Sequence, residues 1–289
     1  MAQGPRACPF CGGTSAKMTQ EHLWPQWLPA KFPTGTIFKV MSGRRQEWPG
    51  SKLREVRVEP EKTWQSSKAV PLTTGVRECC NSTWMSQLET AAQSVILGMF
   101  DGADKRMKPA GQNVIASWAQ LKFMVADLMF QSVPGGFFSQ AEREAFRQRQ
   151  MPEDTHILAA YTTEEGEFGR VDGRQLRIPI LPGNAVAAGY ISTMQVGPLV
   201  LSGHWLRLPS DTPPELILRG APWHEPTVQV WPPSPRALTW PPTFVLGQAG
   251  LKAFPSRLRG AVLMTRELIP AGVTVLGDSR AEPPNTGSQ

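Results

Sequence analysis

The sequence lacks long apolar runs. No stretch reaches the roughly 20 continuous apolar residues that a membrane-spanning helix requires, and the opening stretch MAQGPRACPFCGG has no apolar segment typical of a secretory signal. We therefore expect no membrane contact and a cytoplasmic location. The most apolar stretch, WAQLKFMVADLMF, contains Lys122 and Asp127. We interpret it as an amphipathic helix of a soluble protein.

Cysteine is also scarce, with four residues that all lie within the first eighty positions. A cytoplasmic protein keeps its thiols reduced, so these four favour metal binding over disulfides. Two kinds of catalytic motif are missing as well. There is no glycine-rich phosphate loop, and Ser15 and Ser82 lack the surroundings of a nucleophile elbow. The sequence contains no internal repeat.

The composition is that of a folded, basic protein. Of 289 residues 40% are apolar, including ten Trp and twelve Phe, which suffices for a sizeable core. The net charge is +6, and the first sixty residues hold nine Lys and Arg against four Glu, a net of +5. A basic end suits a polyanionic partner such as nucleic acid. A basic surface without any partner explains the charge equally well.

Periodicity predicts an α+β protein with a helical middle and a β-rich C-terminal half. Apolar residues at helical spacing predict a helix from Asn81, capped by Asn81 or Ser82, and a second helix over residues 112–131. Ser139 and Glu142 form a capping-box pattern that opens a third helix. Short apolar runs between Pro and Gly then predict strands, at residues 37–41 and 55–58 and, beyond Pro152, at 156–161, 176–181, 187–194, 198–206, 228–231 and 261–264.

The N-terminal third contains three short motifs that carry chemistry. Cys8-Pro-Phe-Cys11 followed by two glycines is a zinc-knuckle pattern, and Cys79-Cys80-Asn81 stands at the predicted helix start. A helix N-terminus favours thiolate over thiol. Between them lies Glu21-His22 with Pro25 three residues after the histidine. A zinc ion held by Cys8, Cys11, Cys79 and Cys80 would join the segment that carries Glu21-His22 to the helix.

The order and spacing of these motifs resemble the HNH endonucleases, in particular the zinc-stapled, endonuclease VII-like branch of the ββα-metal class. The resemblance covers about residues 6–100. It implies a treble-clef ββα-metal module over residues 1–105 with an insertion at about 34–70. A helical region over 106–150 would pack on this module, and 151–289 would form a β-rich domain of unknown role.

The resemblance also implies a role for each site residue. His22 would be the general base that takes a proton from the attacking water. Glu21 and Asn81 would hold a catalytic divalent cation, Mg²⁺ or Mn²⁺, while zinc would be structural. The implied activity is hydrolysis of phosphodiester bonds, and the implied substrate is double-stranded DNA.

The sequence departs from the family pattern at three places. Glu21 stands where the family prefers Asp, and the spacer between His22 and Asn81 is longer. Arg77, three positions before Cys80, takes the place of the other cysteine of the family's second pair. Cys79 is then the candidate substitute. Neighbouring thiols point in different directions along most backbones, so the use of both Cys79 and Cys80 requires a local distortion. The alternatives are a three-cysteine site completed by water and a lost zinc site.

Two other functions fit the same motifs. One is a catalytically inactive zinc-stapled module that binds nucleic acid or protein, and the other is a ribonuclease built on the same residues. The joint presence of Glu21 and His22 favours an enzyme, because a binding module does not need that pair. The C-terminal half would serve target selection or contact a partner protein.

Overall fold

The computed structural model describes most of the chain. The described residues are 6–31, 38–42, 62–66, 73–102, 105–129, 136–163, 169–181, 185–210, 216–219, 227–253 and 262–265. Within them the protein is α+β, as predicted, with a helical middle and a strand-rich C-terminal half. None of the helices in these ranges is both long and apolar enough to cross a membrane. The predicted strand at 55–58 lies outside the described residues.

Two strands and one helix form the frame of the N-terminal region. Strand β1 (Met18–His22) pairs antiparallel with β4 (Thr73–Arg77) in a two-stranded sheet. Strand β4 continues directly into α1 (Glu78–Cys80), a π-helical turn (Asn81–Met85) and α2 (Ser86–Phe100). We call residues 78–100 the site helix.

The site helix begins earlier than predicted. It starts at Glu78, preceded by Arg77, whose side chain makes no capping hydrogen bond. The predicted cap at Asn81 or Ser82 is therefore wrong. The physical reason is that the amide of Asn81 serves a tertiary contact to β1 instead of a helix terminus.

Helix α3 (Pro109–Met129) runs through the middle of the molecule and is buried on nearly every side over its second half. It packs between the site helix and strands of the C-terminal half. The interpretation of this stretch as amphipathic is wrong in one respect, because Lys122 and Asp127 are buried and not on a solvent face. Asp127 instead accepts hydrogen bonds from the backbone N–H groups of Phe137 and Phe138, at 2.8 and 3.1 Å.

Helix α4 (Gln140–Arg147) begins at the predicted capping box. The Ser139 hydroxyl accepts from the Glu142 backbone at 3.2 Å, and the Glu142 carboxylate accepts from the Ser139 backbone at 2.7 Å. This reciprocal pair satisfies two N–H groups that a helix start otherwise leaves unpaired. The capping-box prediction is confirmed.

The C-terminal half is dominated by one nine-stranded sheet. Its main path runs β10-β13-β7-β8-β9-β6-β11, and β7 to β9 form an antiparallel meander. Gly197, at φ +57°, makes the tight turn between β8 and β9. The predicted strands of this half are confirmed: β6 (His156–Tyr161), β7 (Gly169–Leu181), β8 (Val186–Val196), β9 (Leu199–Arg207), β11 (Thr227–Trp231) and β13 (Val262–Thr265), with β10 (Leu216–Arg219) in addition.

The predicted insertion contributes to this sheet. Strands β2 (Phe38–Ser42) and β3 (Lys62–Ser66) pair with each other, and β2 lies parallel to the start of β7. A further pair, β5 (Lys105–Met107) with β12 (Leu238–Trp240), forms a separate small sheet, and α5 (Gln248–Ala253) follows it. One buried core extends from Cys8 to Trp240. The division into three segments at 105 and 150 stays a prediction, but packing crosses both boundaries.

Candidate metal centre and strand site

The first two cysteines lie in a tight backbone turn. The Cys8 N–H donates to the Gly13 carbonyl and the Gly12 N–H donates to the Cys8 carbonyl, both at 2.9 Å. Gly12 has φ +68°, a conformation that side chains with a Cβ rarely adopt. The glycine pair of the knuckle pattern thus has a backbone reason, because it reverses the chain and keeps both sulfurs on one side.

All four cysteines converge, as predicted. The Sγ atoms of Cys8, Cys11, Cys79 and Cys80 lie within 4.8 Å of one another, and those of Cys11 and Cys79 are 3.5 Å apart. Sulfurs bound at about 2.3 Å to one tetrahedral zinc ion lie about 3.8 Å from each other. The four thiols are free and not paired in disulfides. The cluster has the composition and the spacing of a metal site.

The helix around the two neighbouring cysteines is distorted, as their joint use requires. Cys80 has φ −108°, and the π-helical turn begins at the next residue. The Thr83 hydroxyl donates to the Cys79 carbonyl at 2.7 Å, a local contact that competes with regular helical hydrogen bonding. Cys79 is exposed and Cys80 is buried. Both neighbouring sulfurs thus reach the cluster from a distorted stretch of helix.

Two of the four thiols, those of Cys8 and Cys80, are hydrogen-bonded to each other. The Cys80 thiol donates to Cys8 and lowers the Cys8 pKa to about 4, and backbone N–H groups of Cys11, Arg77 and Phe10 lower it further. The same contact raises the pKa of Cys80, and burial adds to this rise. One sulfur is thus stabilised as thiolate and its neighbour as thiol. A divalent cation at the centre would replace the shared proton and favour thiolate at all four positions.

Trp84 lies against the cluster from the site helix. Its indole N–H makes no hydrogen bond of ordinary geometry within the described residues, but its proximity lowers the pKa of Cys80. The ring packs edge-on against Phe10 and Phe146 at 5.8 Å between centroids. Trp84 thus joins the cluster to the aromatic core, and its N–H favours thiolate at Cys80.

Two buried arginines fix the knuckle to the rest of the fold. Arg77 donates to the carbonyls of Arg6, at 3.1 Å from Nε, and of Ala16, one before and one after the knuckle. Arg143, from α4, donates from Nε to the Pro9 carbonyl at 2.7 Å. Sequence reasoning noted Arg77 only as a missing cysteine and overlooked Arg143. Neither arginine has a local signal, because each acts on a segment more than sixty positions away.

Strand β1 places the predicted acid and base on opposite faces. Glu21 points inward and is 4% exposed, whereas His22 is only half-buried. This alternation follows from the pleat of the strand. The imidazole of His22 therefore stays accessible to water, while the carboxylate of Glu21 does not.

The Glu21 carboxylate is paired with a lysine that sequence reasoning did not select. Its Oε1 accepts from Lys122 Nζ at 2.7 Å, and the same ammonium donates to the His22 carbonyl at 2.7 Å and to Glu89 of the site helix. Lys122 is fully buried. One signal was available in the sequence: a lysine within an otherwise apolar helix that is buried on all sides must find acidic partners.

Asn81 joins the site helix to β1. Its Nδ2 donates to the Thr19 hydroxyl at 2.9 Å and to the Gln20 carbonyl at 3.0 Å, beside Glu21 and His22. Because a carbonyl only accepts, the amide nitrogen must face β1 and the amide oxygen is the end not used in this contact. The three predicted site residues thus lie on or against a single strand, although nearly sixty positions separate them.

Of the two residues assigned to a catalytic divalent cation, Glu21 fits such an ion poorly. Its carboxylate already has a cationic partner, whereas the contacts of Asn81 with β1 use only its amide nitrogen. In the described part of the chain, the four cysteines are the only cluster of three or more His, Cys, Asp or Glu side chains at ligand spacing. The assignment of Glu21 and Asn81 as ligands stays a prediction.

No protein-family model, curated protein or solved structure matches this chain.

Proposed function

We propose that this protein is an HNH-type endonuclease that hydrolyses phosphodiester bonds, in DNA, with a zinc-stapled N-terminal module. One observation carries the proposal above the others. Asn81, at the start of the site helix, is bound to the strand that ends in His22, and the four-cysteine cluster joins the same helix to the segment before that strand. This strand–strand–helix arrangement is the one for which the ββα-metal class is named.

The donor set and spacing of the cluster support zinc as the structural ion. Four cysteine sulfurs within 4.8 Å of each other suit a closed tetrahedral site. Bound zinc would contribute to folding, because the sites of such ions do not exist in the unfolded chain. It has no role in the reaction itself.

The exposure of His22 supports its role as general base. A neutral imidazole within reach of solvent can take a proton from the water that attacks phosphorus. The backbone of His22 is held by Lys122 through its carbonyl, so the ring projects from a fixed point. Removal of a general base lowers the rate of such reactions by about 10²–10⁴-fold.

The charge of the chain supports nucleic acid as the substrate. The net charge is +6, and the described lysines and arginines before β2 (Arg6, Lys17 and Lys31) are exposed. Exposed basic side chains would attract phosphate by counterion release. A ribonuclease would use the same attraction, so the substrate is distinguished by assay and not by charge.

One observation favours a second candidate, a catalytically inactive module that binds nucleic acid. The Glu21 carboxylate is committed to Lys122, and this removes the acidic ligand on which the family's cation depends. A binding module of this kind would keep the zinc staple and the basic surface. It would show no dependence on His22.

The experiment that separates the two is cleavage of supercoiled plasmid by the zinc-loaded full chain, with Mg²⁺, Mn²⁺ or EDTA present. His22→Ala should lose cleavage at least about 100-fold while DNA affinity and the circular dichroism spectrum stay unchanged. His156→Ala, on β6 in the C-terminal sheet, is the matched control and should cleave like wild type. Cleavage of single-stranded RNA in place of plasmid would identify a ribonuclease. No cleavage of either nucleic acid, with equal binding by wild type and His22→Ala, would establish the binding module.

A further inference from the structure

The side chain of Lys122 is completely enclosed, and its ammonium contacts two other elements. From α3 its ammonium reaches the Glu21 carboxylate and the His22 carbonyl on β1, each at 2.7 Å, and Glu89 on α2. A lysine is almost never fully buried unless it is paired. Its three N–H donors have three acceptors here, so the ammonium is saturated.

The charges around Lys122 keep it protonated. Burial acts to lower its pKa, but Glu21 and Glu89 outweigh burial and raise the pKa above the ordinary value. The ammonium is therefore a permanent positive charge at the inner face of β1. It cannot touch a substrate, because its side chain is wholly shielded from solvent.

We propose that Lys122 is a positioning residue of the site and the cationic partner of Glu21, so that Glu21 is not a ligand of a divalent cation. This inference rests on the proposed function only for the word site, because Lys122 contacts the strand that carries His22. Lys122 holds the peptide of His22 and the side chain of Glu21 against the site helix. Glu21 thus orients β1 through its buried contact with Lys122. His22, the next residue of β1, is partly exposed to solvent.

Two features of the geometry support this assignment over a displaced metal ligand. The ammonium lies 2.7 Å from Oε1 of Glu21, where a divalent cation bound to that oxygen would have to lie. Two positive charges beside one carboxylate also repel each other. Glu89 lies at the same ammonium although its side chain is 23% exposed, so it leans toward the lysine instead of solvent. Both acids therefore serve the lysine.

The first test measures Mn²⁺ binding to the zinc-loaded full chain by electron paramagnetic resonance. Glu21→Gln should leave Mn²⁺ affinity unchanged relative to wild type, and so should the control Glu144→Gln on α4. An absence of Mn²⁺ binding in wild type would agree with the proposal as well. A loss of affinity of about tenfold or more in Glu21→Gln alone, the effect expected even for a residue that merely supports a ligand, would overturn it.

The second test measures the coupling of Lys122 and Glu21 in urea unfolding. Lys122→Met and Glu21→Gln should each lower the folding equilibrium constant, and the double variant should lose about tenfold less than the product of the two single losses. The matched control is the exposed pair of Lys105 and Asp101, at 2.9 Å, where Lys105→Met and Asp101→Asn should combine almost independently. Independent effects at Lys122 and Glu21 would contradict the proposal.

The two tests remain decisive if one variant does not fold. Should Lys122→Met be insoluble, the Mn²⁺ measurement on Glu21→Gln still decides whether Glu21 is a ligand. Both tests are also independent of cleavage. A wild-type protein that fails to cut plasmid or RNA would defeat the proposed nuclease and leave the assignment of Lys122 to be judged on metal affinity and coupling.

Discussion

The cysteine cluster and the Lys122 centre, which consists of Lys122, Glu21 and Glu89, both bring acidic groups together from distant segments. The two centres balance the resulting negative charge differently. Two of the thiols, Cys8 and Cys80, share a proton, which lowers the pKa of Cys8 and raises that of Cys80. The carboxylates of Glu21 and Glu89 have a lysine from the protein itself. The first centre would be completed by an added cation, whereas the second is complete without one. Their difference indicates where a metal ion belongs in this fold.

The largest expected effect is the loss of a knuckle cysteine. Cys8→Ser and Cys11→Ser should abolish zinc retention and unfold the N-terminal region, because a structural zinc ion contributes on the order of 10 kcal/mol to domains that are stable by only about 5–15 kcal/mol. Elemental analysis and thermal melting measure both effects. Ser82→Ala, an exposed residue of the site helix, is the control. Zinc-free wild-type protein that melts like Cys11→Ser would remove the cluster from the account.

At the second pair we expect a graded outcome. Cys80→Ser should destabilise the protein more than Cys79→Ser, because Cys80 is buried and hydrogen-bonded to Cys8 whereas Cys79 is exposed. The same melting and zinc measurements compare the two variants. If the two variants lose the same stability and zinc content, the exposed cysteine is as important for the metal as the buried one. Burial then does not decide the contribution of a cysteine to the cluster.

A smaller effect is expected from Arg77, which holds the knuckle without contacting the sulfurs through its side chain. Arg77→Met removes the hydrogen bonds to the carbonyls of Arg6 and Ala16. Residues that orient metal ligands typically contribute about 10–100-fold to metal affinity, so zinc affinity should fall within that range in competition with a chromophoric chelator. Arg106→Met, on an exposed position of β5, should bind zinc like wild type. An unchanged affinity in Arg77→Met would show that the turn is stable by itself.

The smallest effect concerns Glu142, a carboxylate outside both centres. It pairs with Arg207 at 2.6 Å at a partly exposed position. Glu142→Gln keeps the capping-box geometry and removes only the charge, so it should cost about 0.5–1 kcal/mol at neutral pH. Although burial opposes it, hydrogen bonds from Ser139 and the charge of Arg207 lower the pKa of Glu142. Its contribution is therefore complete above the ordinary glutamate pKa of about 4.3 and is lost as the pH falls through the lower folded-state pKa.

Urea unfolding of wild type and Glu142→Gln between neutral and strongly acidic pH tests this sign. The difference in unfolding free energy should shrink toward zero at low pH. A difference that grows as the pH falls would mean that Glu142 is stabilised in its protonated form.

Local patterns were predictable from the sequence, and long-range pairings were not. The knuckle glycines, the Ser139–Glu142 capping box and the short apolar runs that form the strands of the C-terminal half each depend on neighbours within a few residues. The convergence of the cysteines was predicted from the knuckle pattern and from the position of Cys79 and Cys80 at the predicted helix start. The buried state of Lys122 depends on Glu21, about a hundred positions away. Likewise, β2 joins β7 across some 130 positions, and no local signal specifies such a partner.

The most direct test of this account is X-ray absorption at the zinc edge of the purified full chain. The four-cysteine assignment predicts one zinc ion per chain with four sulfur neighbours at about 2.3 Å. It also predicts an unchanged spectrum in Glu21→Gln, because Glu21 serves Lys122. Oxygen or nitrogen neighbours, a spectrum that changes in Glu21→Gln, or protein without zinc would contradict it.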